Sequence, residues 1–480
     1  MRVLFVASEM HPLVKTGGLA DVTGALPLAL APLGIEVRTL LPAYPRVLER
    51  LQDKKPDATI KALFGGTARL VSGRTAAGAH VLALDAPHLY AREGSAYGPT
   101  TGQEWPDNHL RFGALGWAAH LIGLGQAGPW RPEVVHAHDW QAALAPAYLA
   151  LSGRPRPATV TTIHNMAFQG LFPGPMLASL RLPESSFAPA GVEFYGKVGF
   201  LKAGLHYADR ITTVSPSYAR EIQSSAHGFG LEGLLRHRAK DLTGILNGID
   251  RREWDPEHDP HIAAPFSAAS PAGKVANKRA LQERFGLKVD DRALLFCVVS
   301  RLTHQKGLDI LMSVLPALVA RGGQIAVLGL GDTRLEGEFA AAARANPAQI
   351  AFKAAFDERL SHVVQAGADA IVVPSRFEPC GLTQMVGLRY GTVPVVARVG
   401  GLADSVIDAN EAALNDDVAT GFQFAPDSGI EIADAIARAS TLFAQPDAWT
   451  RTRHRGMRAD FGWERSAKKY AAMYRELATK

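Results

Sequence analysis

Short apolar runs rich in Val, Ile and Leu recur along this chain, and most are followed by a longer stretch whose apolar positions have helical spacing. In the first half, the runs at 3–7, 36–41, 80–84, 134–138, 158–163 and 210–214 read as buried strands. Helical stretches such as 19–33 and 110–124 lie between them. The alternation pauses around Gly244-Ile-Leu-Asn-Gly-Ile-Asp250, and residues 251–276 are rich in Pro, His, Asp and Ala, the composition of a crossing between domains. It restarts with runs at 293–299, 324–328, 350–354, 370–373, 393–396 and 421–424, and ends in an amphipathic helical segment at 462–474. Strands of this kind alternating with helices predict an α/β chain with largely parallel, doubly wound sheets.

Composition narrows this picture. A chain of 480 residues exceeds what one ordinary core fills, so the two blocks predict two large domains. The 47% hydrophobic and 20% charged residues are a globular balance. The formal charge of +5 is small for this length and no Lys/Arg block is present, so nucleic acid is not expected as a partner. Cys297 and Cys380 are the only cysteines, which excludes a disulfide framework and makes a reducing cytoplasm the expected compartment. The apolar run after Arg2 is too short for a signal peptide. No uncharged apolar run reaches the ~18 residues of a membrane span, so a soluble protein with no membrane partner is expected.

Chemistry-bearing residues gather where strands end. After the first strand comes Lys15-Thr-Gly-Gly-Leu-Ala-Asp21, a cation before two glycines and a helix start. Alone, such a turn is more often an ordinary strand–helix junction with a solvated lysine. Its position raises its weight, because ligands of open α/β sheets bind outside the carboxyl ends of strands. Ser300-Arg-Leu-Thr-His-Gln-Lys-Gly307 supplies two further cations, Arg301 and Lys306, after another strand. In Arg376-Phe-Glu-Pro-Cys-Gly-Leu-Thr383, Pro379 holds Glu378 extended, and Gly381-Leu382-Thr383 opens a helix with unfilled N–H groups. Cations, glycine turns and helix starts suit phosphate, and a carboxylate beside them suits sugar hydroxyls. The combination points to a nucleotide sugar.

Two histidine motifs, His136-Ala-His-Asp139 and Thr162-Ile-His-Asn165, also fall at strand ends. On one strand only alternate side chains share a face, and no third ligand motif accompanies His136, His138 and Asp139, so no metal is assigned. His164 with Asn165 suits the polar lining of a sugar site. Cys380 reads as a small buried neighbour, since nothing in sequence supplies it a base. A hydride-transferring dinucleotide enzyme would show G-x-G-x-x-G after the first strand, where Ser8-Glu-Met-His-Pro12 stands instead. A catalytically silent glucan-binding protein has no need of the cations, and both are present.

These motifs, with Tyr97-Gly98, Trp105-Pro-Asp-Asn108, His138-Asp139-Trp140, Leu201-Lys-Ala-Gly204, Thr213-Val-Ser-Pro216, Asn247-Gly-Ile-Asp250 and Gly400-Gly-Leu-Ala-Asp404, follow an order that resembles the bacterial glycogen synthases over nearly the whole chain. Those are ADP-glucose-using relatives of plant starch synthases. The resemblance implies a GT-B fold, two Rossmann-like domains facing a central cleft. It places an acceptor-side domain at 1–250, a nucleotide-sugar domain at 251–455, and a helix at 456–480 that crosses back.

The resemblance also implies roles. Lys15 and Gly18 meet the donor's phosphate and glucose region, and Asp21 supports their loop. Asp139, His164, Asn165 and Asn247 line the sugar, with His164 beside the anomeric carbon. Arg301 and Lys306 clamp the diphosphate. Glu378 holds glucose hydroxyls, and Cys380, Gly381, Leu382 and Thr383 form the adjoining cradle. Tyr97 faces the acceptor. Phe356, where the family usually has Tyr, stacks on adenine; Val386 is a second departure from Tyr, and His11 is a variable site. The implied partners are ADP-glucose and glycogen or another α-1,4-glucan. The implied reaction retains the α-configuration and uses no cofactor or metal. A UDP-glucose-using glucosyltransferase is the alternative. Because the implied donor contacts are split between the domains, closure about residues near 250 and 455 is expected.

Overall fold

The computed structural model describes residues 1–99 and 103–479, and the chain divides into two compact units. The first comprises Met1–Gly248 with Trp463–Lys480, the second Ile249–Gly462. The helix Pro446–Arg458 therefore stays with the second unit, and the return to the first falls between residues 462 and 463.

The first unit is built on a nine-stranded sheet. Its strands are β1 (Arg2–Val6), β2 (Glu36–Pro42), β3 (Gln52–Leu63), β4 (Gly66–Arg74), β5 (His80–Asp85), β6 (Val134–His138) and β7 (Ala158–Ile163). A small antiparallel sheet of β8 (Leu171–Pro173), β9 (Glu193–Phe194) and β10 (Lys197–Gly199) intervenes before β11 (Arg210–Thr213) and β12 (Leu242–Gly244) complete the large one. The spatial order is β12-β11-β7-β6-β1-β2-β5-β4-β3, parallel from β12 through β5. Successive strands add to opposite sides of β1, so the switch point of the winding lies between β1 and β6, where a crevice opens at strand ends.

The β3–β4 hairpin is the main departure from the apolar pattern. Its outer strand carries Gln52-Asp-Lys-Lys-Pro56 and is mostly exposed, so it has no buried face to announce itself. Phe64 and Gly65, both with positive φ, form its two-residue turn. The brief β12 and the small sheet were equally silent in the pattern.

The second unit holds six parallel strands, β13 (Leu295–Val299), β14 (Gln324–Gly329), β15 (Ile350–Ala354), β16 (Ala370–Val373), β17 (Val393–Ala397) and β18 (Phe422–Phe424). Their order, β15-β14-β13-β16-β17-β18, is the Rossmann arrangement with its switch point between β13 and β16. Nearly every inward position of these strands is Val, Ile, Leu, Ala or Phe and fully buried, as a sheet covered on both faces requires.

The final helix, Trp463–Ala478, packs Trp463, Ala467, Tyr470 and Tyr474 against Val22, Leu26 and Leu30 of the helix Gly18–Leu30. The amphipathic stripe in its sequence thus serves the core of the first unit.

Candidate active site

In each unit most candidate residues lie on loops that leave the carboxyl ends of strands at and beside the switch point, while Asn247 follows the edge strand β12 and Phe356 the edge strand β15. In the first unit, β1 runs into Ser8 and Glu9, and the chain loops through exposed Thr16, Gly17 and Gly18 into the helix Gly18–Leu30. Lys15 Nζ lies 2.8 Å from Asp21 Oδ1, so the carboxylate one turn into the helix aims the ammonium. Gly17 is extended, and a Cβ built on it would meet nothing within 4 Å. Its backbone therefore borders open space.

Asp139 follows β6 with φ +59°, a left-handed conformation that costs a non-glycine residue energy. Its Oδ1 accepts hydrogen bonds from the backbone N–H of His164 at 2.9 Å and of Asn165 at 3.4 Å, tying the ends of β6 and β7 together. Burial pushes its carboxyl up to about 7. His164 is held neutral by burial, its basicity reduced to about 3, and its Nε2 is 3.1 Å from His138 Nδ1. The ring of His138 stacks on His136, whose Nδ1 is 2.6 Å from the Tyr474 hydroxyl of the final helix. The histidine pair is therefore a buried neutral network, and no group of three or more His, Cys, Asp or Glu among the described residues is arranged to hold a metal. Asn165 spends its Oδ1 on the Ala167 N–H, at 3.0 Å, to shape the turn. Asn247 is buried with no partner for its Oδ1 among the described residues, an acceptor suited to a ligand hydroxyl. The Tyr97 hydroxyl points inward to Glu9 and Ser8, and its partly buried ring lies 6.0 Å from that of Phe112.

In the second unit, the loops after β13 and β16 are bound to each other. Arg376 N–H donates to Gln305 O at 2.9 Å, and Gln305 Nε2 donates to Phe377 O at 3.2 Å. Arg376 itself is consumed by Asp309 and Asp427 at 2.8 Å each. Lys306 Nζ lies 2.6 Å from Glu378 Oε2, which also accepts from Ser375 Oγ at 2.8 Å. No protein donor reaches Glu378 Oε1 among the described residues. Arg301 is exposed and without an ion pair among the described residues. Gly307 has φ +62°, and a Cβ there would sit 2.0 Å from Pro374 O, so glycine alone permits this loop crossing. At Gly400 a Cβ would lie 2.0 Å from Glu378 O, which explains why Gly400-Gly401 backs the acidic turn.

Cys380 is buried beside Glu378, and Gly381, Leu382 and Thr383 are partly exposed where the helix Thr383–Arg389 begins without a side-chain cap. Phe356 is 72% exposed just before Asp357, which caps the helix Glu358–Gly367. Val386 is 4% exposed and belongs to the core, and His11 is half-buried with its N–H bonded to Ala20 O at 3.0 Å. Sequence reasoning passed over Glu9, Ser375, Gln305 and the His138 contact. The only signal for Glu9 was an acid directly after the first strand.

Two family models divide the chain as the units do. Residues 2–237 match the starch synthase catalytic domain, and residues 280–452 match glycosyl transferases group 1. Together with the two Rossmann-like units, they define a hexosyltransferase of the GT-B fold. A glycogen synthase of Roseobacter denitrificans is 54% identical over 477 residues, 99% of each chain. One of Rhodopseudomonas palustris is 53% identical over 474 residues, 99% of this chain and 97% of its own. The solved catalytic domain of Arabidopsis thaliana starch synthase IV, bound to ADP and acarbose, superposes with a TM-score of 0.90 at 30% identity, covering 100% of this chain and 99% of that one. The chain belongs to the glycogen synthase family.

Proposed function

We propose that this protein transfers glucose from ADP-glucose to the 4-hydroxyl at the non-reducing end of an α-1,4-glucan such as glycogen, releasing ADP and retaining the α-configuration. The observation that carries the reading is the cluster at the second unit's switch point: exposed Arg301, and Lys306 at 2.6 Å from the buried carboxylate of Glu378. Cations for a diphosphate and an acceptor for sugar hydroxyls stand on adjoining loops. The ADP bound to the Arabidopsis relative, beside acarbose, is a nucleoside diphosphate, in keeping with it.

As the bond between glucose C1 and the diphosphate oxygen breaks, negative charge grows on the leaving group and the sugar ring becomes oxocarbenium-like. Arg301 and Lys306 gain most when that charge is greatest, which lowers the barrier rather than merely tightening binding. Glu378 Oε2 is held by Lys306 and Ser375, so Oε1 is the oxygen that accepts from glucose hydroxyls. In the first unit, Lys15, Asp139, His164 and Asn247 serve the sugar and phosphate. His164, neutral and with its basicity reduced by burial, contributes a dipole rather than a strong base. Retaining glycosidases place a second carboxylate about 5 Å from the first to act as nucleophile. Glu378 is instead paired with a cation, so the acceptor hydroxyl enters on the face from which the diphosphate departs. Arg301 and Lys306 supply the charge neutralisation for which other transferases recruit a metal.

No helix among the described residues is long and apolar enough to cross a membrane. No disulfide joins the two buried cysteines, which suits the reducing cytoplasm. The test is to incubate the purified protein with glycogen and either ADP-glucose or UDP-glucose, following nucleotide release and the anomeric signal of the new linkage by NMR. ADP release with a new α-linkage is expected. Equal or faster UDP release would shift the reading to the other donor, and a β-linkage would overturn retention.

A further inference from the structure

Glu9 is a buried carboxylate, 3% exposed, to which the transfer mechanism gives no task. Its two oxygens serve two different loops. Oε2 accepts from the backbone N–H of Thr16, in a short hydrogen bond, and of Gly17 at 3.2 Å. Oε1 accepts from the Tyr97 hydroxyl, also in a short hydrogen bond. Since Tyr97 spends its one proton there, Ser8 Oγ donates to Tyr97 at 2.9 Å. The backbone of Glu9 is itself anchored, because Thr23 Oγ1 of the helix Gly18–Leu30 donates to Glu9 O at 2.7 Å.

A surface loop of exposed Thr16, Gly17 and Gly18 has no packed side chains to fix its course. Its two consecutive N–H groups are instead gathered by one carboxylate rooted in the sheet. Hydrogen bonds from N–H groups to an ionised acceptor are among the stronger ones available to a backbone. We propose that Glu9 is a positioning residue that holds the Lys15–Gly18 loop and Tyr97 in one fixed relation, so that the site for the donor phosphate and the surface presented by Tyr97 are set by a single side chain. Burial raises the pKa of Glu9, and the hydrogen bonds from Tyr97, Thr16 and Gly17 pull it back down. Tyr97, Tyr44 and Asp139 are titratable groups close enough to feel its charge.

The proposal rests on the transfer reading for Lys15, and its chemistry predicts a graded series. Glu9→Gln keeps the shape but offers one acceptor oxygen in place of two, so one loop stays held. Glu9→Ala releases both. Tyr97→Phe releases only the tyrosine arm. A loop misplaced by about 1 Å can cost about 100-fold in rate, so Glu9→Ala should lower kcat/KM for ADP-glucose by that order, and Glu9→Gln by less. The penalty of Glu9→Ala should largely vanish in a Lys15→Ala background, because Glu9 acts on the donor through the loop that carries Lys15. A purely structural residue would keep its penalty there.

Amide hydrogen exchange of the full-length protein supplies a readout independent of turnover: Thr16 and Gly17 should lose protection in Glu9→Ala and keep it in Tyr97→Phe. If the wild-type protein turns over no ADP-glucose, the transfer reading fails while the exchange measurement still decides whether Glu9 holds the loop. Unchanged protection of Thr16 and Gly17 in Glu9→Ala would overturn the proposal. So would an active wild type whose Glu9→Ala penalty persists undiminished without Lys15.

Discussion

The ammonium of Lys306 lies 2.6 Å from Oε2 of Glu378, although 72 residues separate them in sequence. Neither charge is isolated in the protein, and the contact holds the cation aimed at the strand ends. Removing one member leaves the other uncompensated, which gives the pair a predicted signature. Lys306→Ala and Arg301→Ala should each lower kcat/KM by about 3 kcal/mol, on the order of 100-fold or more. Arg301→Ala should leave the melting temperature unchanged because the side chain is exposed and unpaired, whereas Lys306→Ala should lower it. Steady-state kinetics and thermal melts on both variants check this, and near-normal rates in folded Arg301→Ala would remove it from the diphosphate clamp.

Charge neutralisation by fixed side chains predicts a reaction indifferent to divalent ions. Initial rates of ADP release should be the same with EDTA and with added Mg²⁺. Activity lost to the chelator and restored by a divalent ion would contradict the assignment.

Asp139 predicts a pH-dependent contribution to stability. Its carboxyl is raised by burial from 3.8 to about 7, so the folded state binds a proton that the unfolded state has released over that range. The contribution is fully present below about pH 4 and is lost as pH rises through about 7. Asp139→Asn, which cannot ionise, should therefore gain stability relative to wild type as pH increases from 4 to 7, with a constant difference above. Paired melts across that range test the sign; a difference that stays flat from pH 4 to 7 would show the carboxyl to be ionised throughout.

Gly307 is predicted to be intolerant of a side chain. Left-handed φ alone costs an alanine about 1–2 kcal/mol, and its Cβ would stand 2.0 Å from Pro374 O. Gly307→Ala should lower the melting temperature and, by displacing Lys306, reduce kcat, whereas Gly17→Ala should leave the melting temperature near wild type, since Gly17 is extended and its Cβ would meet open space.

Phe356 should behave in the opposite way. At 72% exposed it supports no core. Phe356→Ala should leave stability unchanged and weaken ADP binding by about 1 kcal/mol, as expected for loss of an aromatic stack. Phe356→Tyr should bind ADP as wild type does. Calorimetric titration with ADP checks both.

The strands that carry the phosphate and acidic turns were legible because each is short, apolar and buried on both faces, so that β13 and β16 stand out as apolar runs without an alternating polar face. The turns after them were legible because glycine, proline and charge occur together at strand ends. The sequence therefore determined the α/β alternation, the break near Gly248, and the identity of Lys15, Arg301, Lys306 and Glu378 as candidate site residues. It did not determine the β3–β4 hairpin, whose outer strand is polar and solvated, or the fact that Val386 sits in the core. The partner of each charge was also beyond its reach. That Arg376 is spent on Asp309 and Asp427 while Arg301 is left exposed, or that Glu9 gathers the Thr16 and Gly17 amides and the Tyr97 hydroxyl, depends on which strand ends lie side by side. Strand order is set by nonlocal sheet pairing, and a local pattern of apolar and polar residues carries no record of it. Only the tertiary structure decided those pairings.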